Sequence, residues 1–212
     1  HKVFVFHRIN DLRIKEYALT HNRLKDLEVF TINNTFRKYS FFEMTYRNDT
    51  IAEKFGLVLE QIKPDIVHIQ HLLYLSIKII EEIKKRDIPI VFTLHDYWLI
   101  CSQGQLFKNS NLACNGESNS ECYECVLYQL SIKKYIFDLY YFLNKFAPKF
   151  LFQLAKNFYL NCSKTFFLTR NKAINLIEER THQMKGICSK IDLFIAPSKF
   201  LRKKFIEFGI PE

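Results

Sequence analysis

The sequence predicts an α/β fold: a Rossmann-like three-layer domain with a mostly parallel sheet and a helical insertion. Apolar runs of strand length recur along the chain, rich in Val, Ile and Phe and only weakly alternating, which is typical of strands buried on both faces of a parallel sheet. Segments with helical spacing lie between these runs, and this alternation indicates βαβ units. The 212 residues are enough to bury one full core. We therefore expect one domain over residues 1–212, with the insertion at about residues 127–188.

The individual elements follow from local patterns. The predicted strands are residues 3–6, 29–32, 66–69, 88–94 and 191–196. Apolar residues spaced by three and four predict one helix between Ile51 and Ile62 and another between Leu73 and Ile83. After the last strand, Ser198 is a typical helix N-cap and Gly209 a typical C-terminal stop, which predicts a helix over residues 199–208.

The charge of the chain is unevenly distributed. There are 31 basic and 22 acidic residues, a net charge of +9, and residues 127–212 hold all of this surplus. No window of eighteen uncharged apolar residues occurs, so a membrane-spanning helix is not predicted. No signal-peptide pattern follows His1, and the chain looks cut at its front. We expect a cytoplasmic location, either free or peripheral at the inner face of the membrane.

A basic aromatic stretch occupies residues 127–167, where thirteen residues are Phe or Tyr, six are Lys, and only Asp138 is acidic. The aromatic rings could pack two helices onto the sheet, with the lysines in solvent. Alternatively, lysines and aromatic rings suit an anionic membrane surface. Nucleic acid is not an expected partner, because no recognisable RNA- or DNA-binding module is present.

Histidines stand where two of the predicted strands end. His68 and His71 belong to one strand end, and His95, followed by Asp96, to the next. Open parallel sheets bind ligands at the carboxyl ends of their strands, and imidazole can hydrogen-bond a sugar hydroxyl or an anionic oxygen. The alternative is that these histidines are structural.

Four cysteines form a cluster in sequence: Cys101, Cys114, Cys122 and Cys125. Four thiolates suit a tetrahedral structural zinc ion, and the last two have the spacing of a metal-binding knuckle. Free thiols or paired redox cysteines are the alternative. Four cysteine ligands would leave no open coordination position, which argues against a catalytic zinc. Dinucleotide-binding, P-loop and serine-hydrolase motifs are absent from the sequence.

Two segments, residues 64–76 (Pro-Asp-Ile-Val-His-Ile-Gln-His-Leu-Leu-Tyr-Leu-Ser) and residues 88–101, which include Thr93-Leu94-His95-Asp96-Tyr97-Trp98, resemble the N-terminal domain of family 4 glycosyltransferases, which have the GT-B fold. Residues 192–201 resemble the last strand and helix of that domain. The resemblance implies retaining transfer of a sugar from a nucleotide-sugar donor, with no metal ion needed for catalysis. It also raises the expectation of a clustered cysteine site, since cysteine loops at this place occur in one branch of the family.

The resemblance assigns roles to single residues. His95 corresponds to the histidine that contacts the donor sugar, and we expect it to be catalytic. His68 and His71 correspond to the acceptor side, and with Asp96 they are the expected substrate-binding residues. The acceptor would be a glycan or a lipid-linked sugar.

The family pattern also has parts that these residues do not match. Its first strand, glycine-rich loop and first helix would precede His1, and its second, donor-binding domain with paired glutamates would follow Glu212. The chain is therefore expected to supply the acceptor-side domain and to be inactive alone. The alternative is a non-catalytic binding subunit that needs a separate partner chain with the donor site.

Overall fold

The computed structural model describes residues 1–35, 41–107, 113–114, 116, 122–123 and 170–210. The described strands are β1 (Phe4–Ile9), β2 (Leu19–Leu24), β3 (Leu27–Asn33), β4 (Val67–Ile69), β5 (Ile90–Thr93) and β6 (Leu193–Ile195). The described helices are α1 (Phe41–Met44), α2 (Asp49–Ile62), α3 (Lys78–Lys84), α4 (Arg170–Cys188) and α5 (Lys199–Phe208). Strands and helices alternate from β3 onward, which confirms the predicted α/β class.

The strands form two three-stranded sheets. In the second sheet, β5 lies between β4 and β6, and both pairs are parallel. Ile90 and Phe92 of β5 point to one face of the sheet and are buried, whereas Val91 and Thr93 on the other face are partly buried. The first sheet has β3 in the middle, with β1 parallel on one side and β2 antiparallel on the other. The sheets are thus mostly parallel, as predicted, with β2 as the antiparallel exception.

Strand β2 is the element that the sequence prediction missed. It pairs with β3 through a tight hairpin at Lys25 and Asp26, where Lys25 has a φ of 56°. Five of its six residues are exposed, so polar side chains occupy it and no apolar run marks it. An edge strand held by backbone hydrogen bonds can form without the hydrophobic pattern that betrays a buried strand.

A cleft of about 840 Å³ lies between the two sheets. It is lined by residues 1–6, which include the first half of β1, by residues 62–72 around β4, and by residues of α2 and α3. No hydrogen-bonded pairing joins β1 to β4 among the described strands. The strands therefore make two sheets here, where the predicted fold class has one.

Helix α2 shows how the sequence fixes an element. Asn48 caps its first turn, since the Asn48 side chain accepts a hydrogen bond from the Ile51 amide. Ile51, Phe55 and Leu59 are buried on one face, as their spacing predicts. Burial of each such side chain stabilises the fold by about 1.5–3 kcal/mol relative to leaving it exposed. This burial holds the helix against the sheet.

The second predicted helix begins later than its apolar spacing indicates. Leu73 lies before it, and α3 starts at Lys78. The buried hydroxyl of Ser76 accepts hydrogen bonds from the amides of Asn48 and Lys78, which ends the preceding loop. In contrast, the last helix is as predicted: Ser198 accepts from the Leu201 amide, and Gly209 follows α5 with a φ of 108°.

Of the predicted insertion, the structure describes residues 170–188, which form α4. The basic aromatic stretch at residues 127–167 lies outside the described residues. Among the helices that the structure does describe, none has the length and apolar character needed to cross a bilayer.

Candidate functional site

The polar groups of the candidate site meet at the carboxyl ends of β4 and β5. The two strands are parallel and in register, with His68 opposite Val91 and Ile69 opposite Phe92. The segments that leave them, 70–71 and 94–96, consequently lie side by side. The sequence prediction that His68, His71, His95 and Asp96 gather at one sheet edge is in accord with their hydrogen bonds to one another and to their neighbours.

The first set of contacts is a histidine network made by Thr93, His68, Gln70 and His95. The Thr93 hydroxyl lies 2.7 Å from Nε2 of His68. Nε2 of Gln70 lies 3.0 Å from the same His68 nitrogen, and Oε1 of Gln70 lies 2.7 Å from Nε2 of His95. His68, Gln70 and His95 are exposed, so a ligand can reach them.

The second set is the His71 group, made by His71, Asp96 and Trp98. The Leu73 amide donates to Nδ1 of His71 at 2.9 Å. That nitrogen must therefore carry the lone pair, and Nε2 carries the proton that it donates to Oδ2 of Asp96 at 3.1 Å. Oδ1 of Asp96 accepts from the Trp98 amide at 2.8 Å. Both ring nitrogens of His71 are thus occupied by the protein.

Arg180 of α4 packs against Trp98, on the buried side of the site. It is buried, and its guanidinium donates to the backbone oxygen of Trp98. It also lies 5.4 Å from the Trp98 ring centre and 5.7 Å from the Tyr46 ring centre, within cation–π range. Burial lowers the pKa of Arg180 to about 10, and nearby Cys101, Tyr46 and Cys122 partly offset this effect. Arg180 remains charged at neutral pH and holds Trp98 in place.

Three of the four clustered cysteines are described. Cys101, Cys114 and Cys122 are partly exposed and are not in disulfide bonds, whereas Cys125 lies outside the described residues. Within the described part of the chain, no three Cys, His, Asp or Glu side chains converge to hold a metal ion. The described thiols alone do not form a zinc site, and the four-cysteine site stays a prediction.

Sequence reasoning missed Gln70, Thr93 and Arg180. Gln70 lies between two predicted site histidines, and that position was the one available signal for it. Thr93 is visible as a strand residue only, and Arg180 contacts Trp98 across 82 positions of sequence, so no local pattern marks it.

Parallel strands with helices between them define an α/β domain of the Rossmann-like class, in which ligands generally bind at the carboxyl ends of the strands. The family model for Glycosyltransferase Family 4 matches residues 1–212, and the chain belongs to that family. A Klebsiella pneumoniae protein described as "Uncharacterized 42.6 kDa protein in cps region" is 31% identical over 81 residues. Those residues are 38% of this chain and 22% of that protein, so the alignment spans less than a quarter of the relative. No solved structure matches the chain.

Proposed function

We propose that this chain is the acceptor-side domain of a retaining glycosyltransferase, which transfers a sugar from a nucleotide-sugar donor to a glycan or lipid-linked acceptor. The family match supports transfer of a sugar. The observation that carries the finer proposal is the position of His95, which is exposed immediately beyond the central strand of a parallel sheet. Ligands of open α/β sheets bind at such positions.

The proposed role of each side chain follows from the atoms that it leaves available for hydrogen bonds to a substrate. His95 contacts the donor sugar and is the proposed catalytic residue. His68 and the exposed oxygen surface of Asp96, whose side chain is 43% exposed, bind substrate hydroxyls. His71 uses both ring nitrogens within the protein, so its contribution to substrate binding is to orient Asp96 and to offer its ring edge.

The acceptor class rests on one comparison. The Klebsiella relative is described as lying in a cps region, which supports assembly of a surface polysaccharide as the process. A glycan acceptor carries many hydroxyl groups, and these match the mixed donors and acceptors of the histidine network.

The test is sugar transfer by the complete protein. A panel of nucleotide sugars is offered with a glycan acceptor, and the anomeric configuration of the product is read by NMR. Product with the donor's configuration supports the proposal, whereas inverted product refutes retention. Absence of transfer by every donor, together with binding of a separate donor-site chain, would favour the non-catalytic subunit. Transfer that persists in excess chelator supports catalysis without a metal ion.

We also propose that the four clustered cysteines hold a structural zinc ion, with sulfur–metal distances of about 2.3 Å. The test is metal analysis of protein purified without added zinc, with Cys188→Ser as the matched control. Cys188 is buried outside the cluster, and burial raises the pKa of its thiol to about 12. One equivalent of zinc per protein chain that is lost in Cys122→Ser and retained in the control supports the site. Well below one equivalent in the unmodified protein would exclude it.

The basic aromatic stretch at residues 127–167 supports a peripheral membrane role through its composition alone. If it meets an anionic bilayer, each lysine near the surface contributes about 1 kcal/mol at low salt. Co-sedimentation of the complete protein with vesicles decides the matter. Binding to anionic but not neutral vesicles, weakened by salt, supports the role. Absence of binding to both leaves packing of the rings as the explanation.

A further inference from the structure

One amide joins two imidazoles in the histidine network. Oε1 of Gln70 lies 2.7 Å from Nε2 of His95, and Nε2 of Gln70 lies 3.0 Å from Nε2 of His68. An amide oxygen only accepts hydrogen bonds, and an amide nitrogen only donates them. With the amide in this orientation, Nε2 of His95 carries a proton, whereas Nε2 of His68 presents its lone pair.

The Thr93 hydroxyl is compatible with this assignment at His68. It lies 2.7 Å from Nε2 of His68 and can rotate to donate to it. A protonated Nε2 at His68 could satisfy Thr93 but would point its hydrogen at the amide hydrogens of Gln70. The single lone pair on Nε2 of His68 accepts from the Gln70 amide and shares a second, weaker hydrogen bond with the Thr93 hydroxyl.

We propose that Gln70 is a positioning residue, which fixes His68 and His95 in opposite tautomers for the recognition of sugar hydroxyls. In the part of the chain that the structure describes, neither Nδ1 makes a hydrogen bond. Nδ1 of His95 is then left as an acceptor and Nδ1 of His68 as a donor. This inference rests on the proposed function for its ligand class and on the hydrogen bonds for its mechanism.

The two Nδ1 atoms, which have no hydrogen-bond partner among the described residues, specify the kind of group that fits. A hydroxyl group both donates and accepts, so one sugar hydroxyl can donate to His95 while another accepts from His68. A ligand with acceptors alone, such as a phosphate, would find a partner at His68 and none at neutral His95. The pair therefore selects a polyhydroxyl ligand, and Gln70 sets that preference through the two rings.

The direct test is the tautomer of each histidine, read from imidazole nitrogen shifts in complete protein labelled with 15N-histidine, at a pH where both rings are neutral. We expect the Nε2–H form at His95 and the Nδ1–H form at His68. Gln70→Glu replaces the amide by an isosteric group that only accepts, so it should convert His68 to the Nε2–H form and leave His95 unchanged. Gln61→Glu adds the same charge on the exposed face of α2 and should change neither ring.

Two NMR results would overturn the proposal. One is His95 in its Nδ1–H form in the unmodified protein. The other is a His68 tautomer that is the same in Gln70→Glu and in the unmodified protein. Because the NMR measurement needs no turnover, it tests the positioning role of Gln70 even where no transfer activity is found. The proposed function can then fail while the positioning role stands, or the reverse.

Kinetics separates positioning from a merely structural role. Gln70→Ala should lower turnover about tenfold, as loss of a group that orients a functional side chain does. Combined with His95→Ala, it should cause a smaller further loss than it does alone, because His68 is then the one ring of the pair that Gln70 still orients. Independent effects that multiply in the double variant would contradict action through His95.

Discussion

His71 and His95 follow neighbouring strands of the same sheet, yet their imidazoles leave different atoms free. The tautomer of His71 is set by a backbone amide, and its second nitrogen is bound to Asp96. Only Nε2 of His95 has a described partner, the side chain of Gln70. Both ring nitrogens of His71 thus hydrogen-bond within the protein. In the histidine network, Nδ1 of His95 has no partner among the described residues and is available to a ligand. Two histidines at similar positions can therefore be distinguished by how many of their ring nitrogens already hydrogen-bond to the protein.

His95→Ala is the strongest test of this contrast. It should lower turnover of the complete enzyme about a hundredfold, as the loss of one polar transition-state contact does. Because His95 is exposed, the free energy of unfolding should hardly change. Steady-state kinetics and urea unfolding give the two readings, with His21→Ala on β2 as the control. Turnover near that of the unmodified protein would remove His95 from catalysis.

Asp96→Ala, in the His71 group, should differ from His95→Ala because it lowers the stability of the fold in addition to weakening substrate binding. It deprives the Trp98 amide and His71 of their acceptor, which we expect to lower the free energy of unfolding by about 2 kcal/mol. Urea unfolding measures the loss, and hydrogen exchange at the Trp98 amide locates it. Asp65→Ala, at an exposed position, is the matched control. Unchanged protection of the Trp98 amide would show that Asp96 does not hold this loop.

Gly104→Ala should produce the smallest effect. Gly104 has a φ of 76°, and an added Cβ would lie 3.3 Å from Oδ2 of Asp96. The left-handed backbone alone costs a non-glycine residue about 1 kcal/mol, so stability should fall by roughly that amount. Gly186→Ala is the control, since Gly186 lies inside α4 with no atom within 4 Å of an added Cβ. Equal stability of the two variants would mean that the Asp96 loop tolerates the change.

Much of the fold could be read from sequence because apolar runs and cap residues mark several of its elements. Strands β3, β4, β5 and β6 are apolar runs, and the cap residues Ser198 and Gly209 mark the ends of α5 by their own chemistry. Strand β2 could not be found, because its exposed side chains carry no such pattern. The start of α3 depended on a hydrogen bond from Asn48 to Ser76, between residues 28 positions apart.

The site was predictable to the level of its location. The rule that ligands bind at strand ends finds His68 and His95, but the two are 27 positions apart, and only the register of β4 with β5 places Gln70 between them. Which nitrogen of each ring is available to a ligand depends on the hydrogen-bond partners of that ring. The residue type alone does not indicate these partners. The role of Arg180 needed the packing of α4 against Trp98, which is a tertiary fact.

Trp98 is the single tryptophan among the 212 residues, and the fold places it directly behind the candidate site. Its indole is 2% exposed, and its centre is 5.3 Å from that of the His71 ring and 5.4 Å from the Arg180 guanidinium. Within this chain, light absorbed at the red edge of the protein's ultraviolet spectrum therefore excites one chromophore at one place. Emission from Trp98 gives the strand-end site an intrinsic optical signal, with Tyr and Phe elsewhere in the chain spectrally silent at that wavelength.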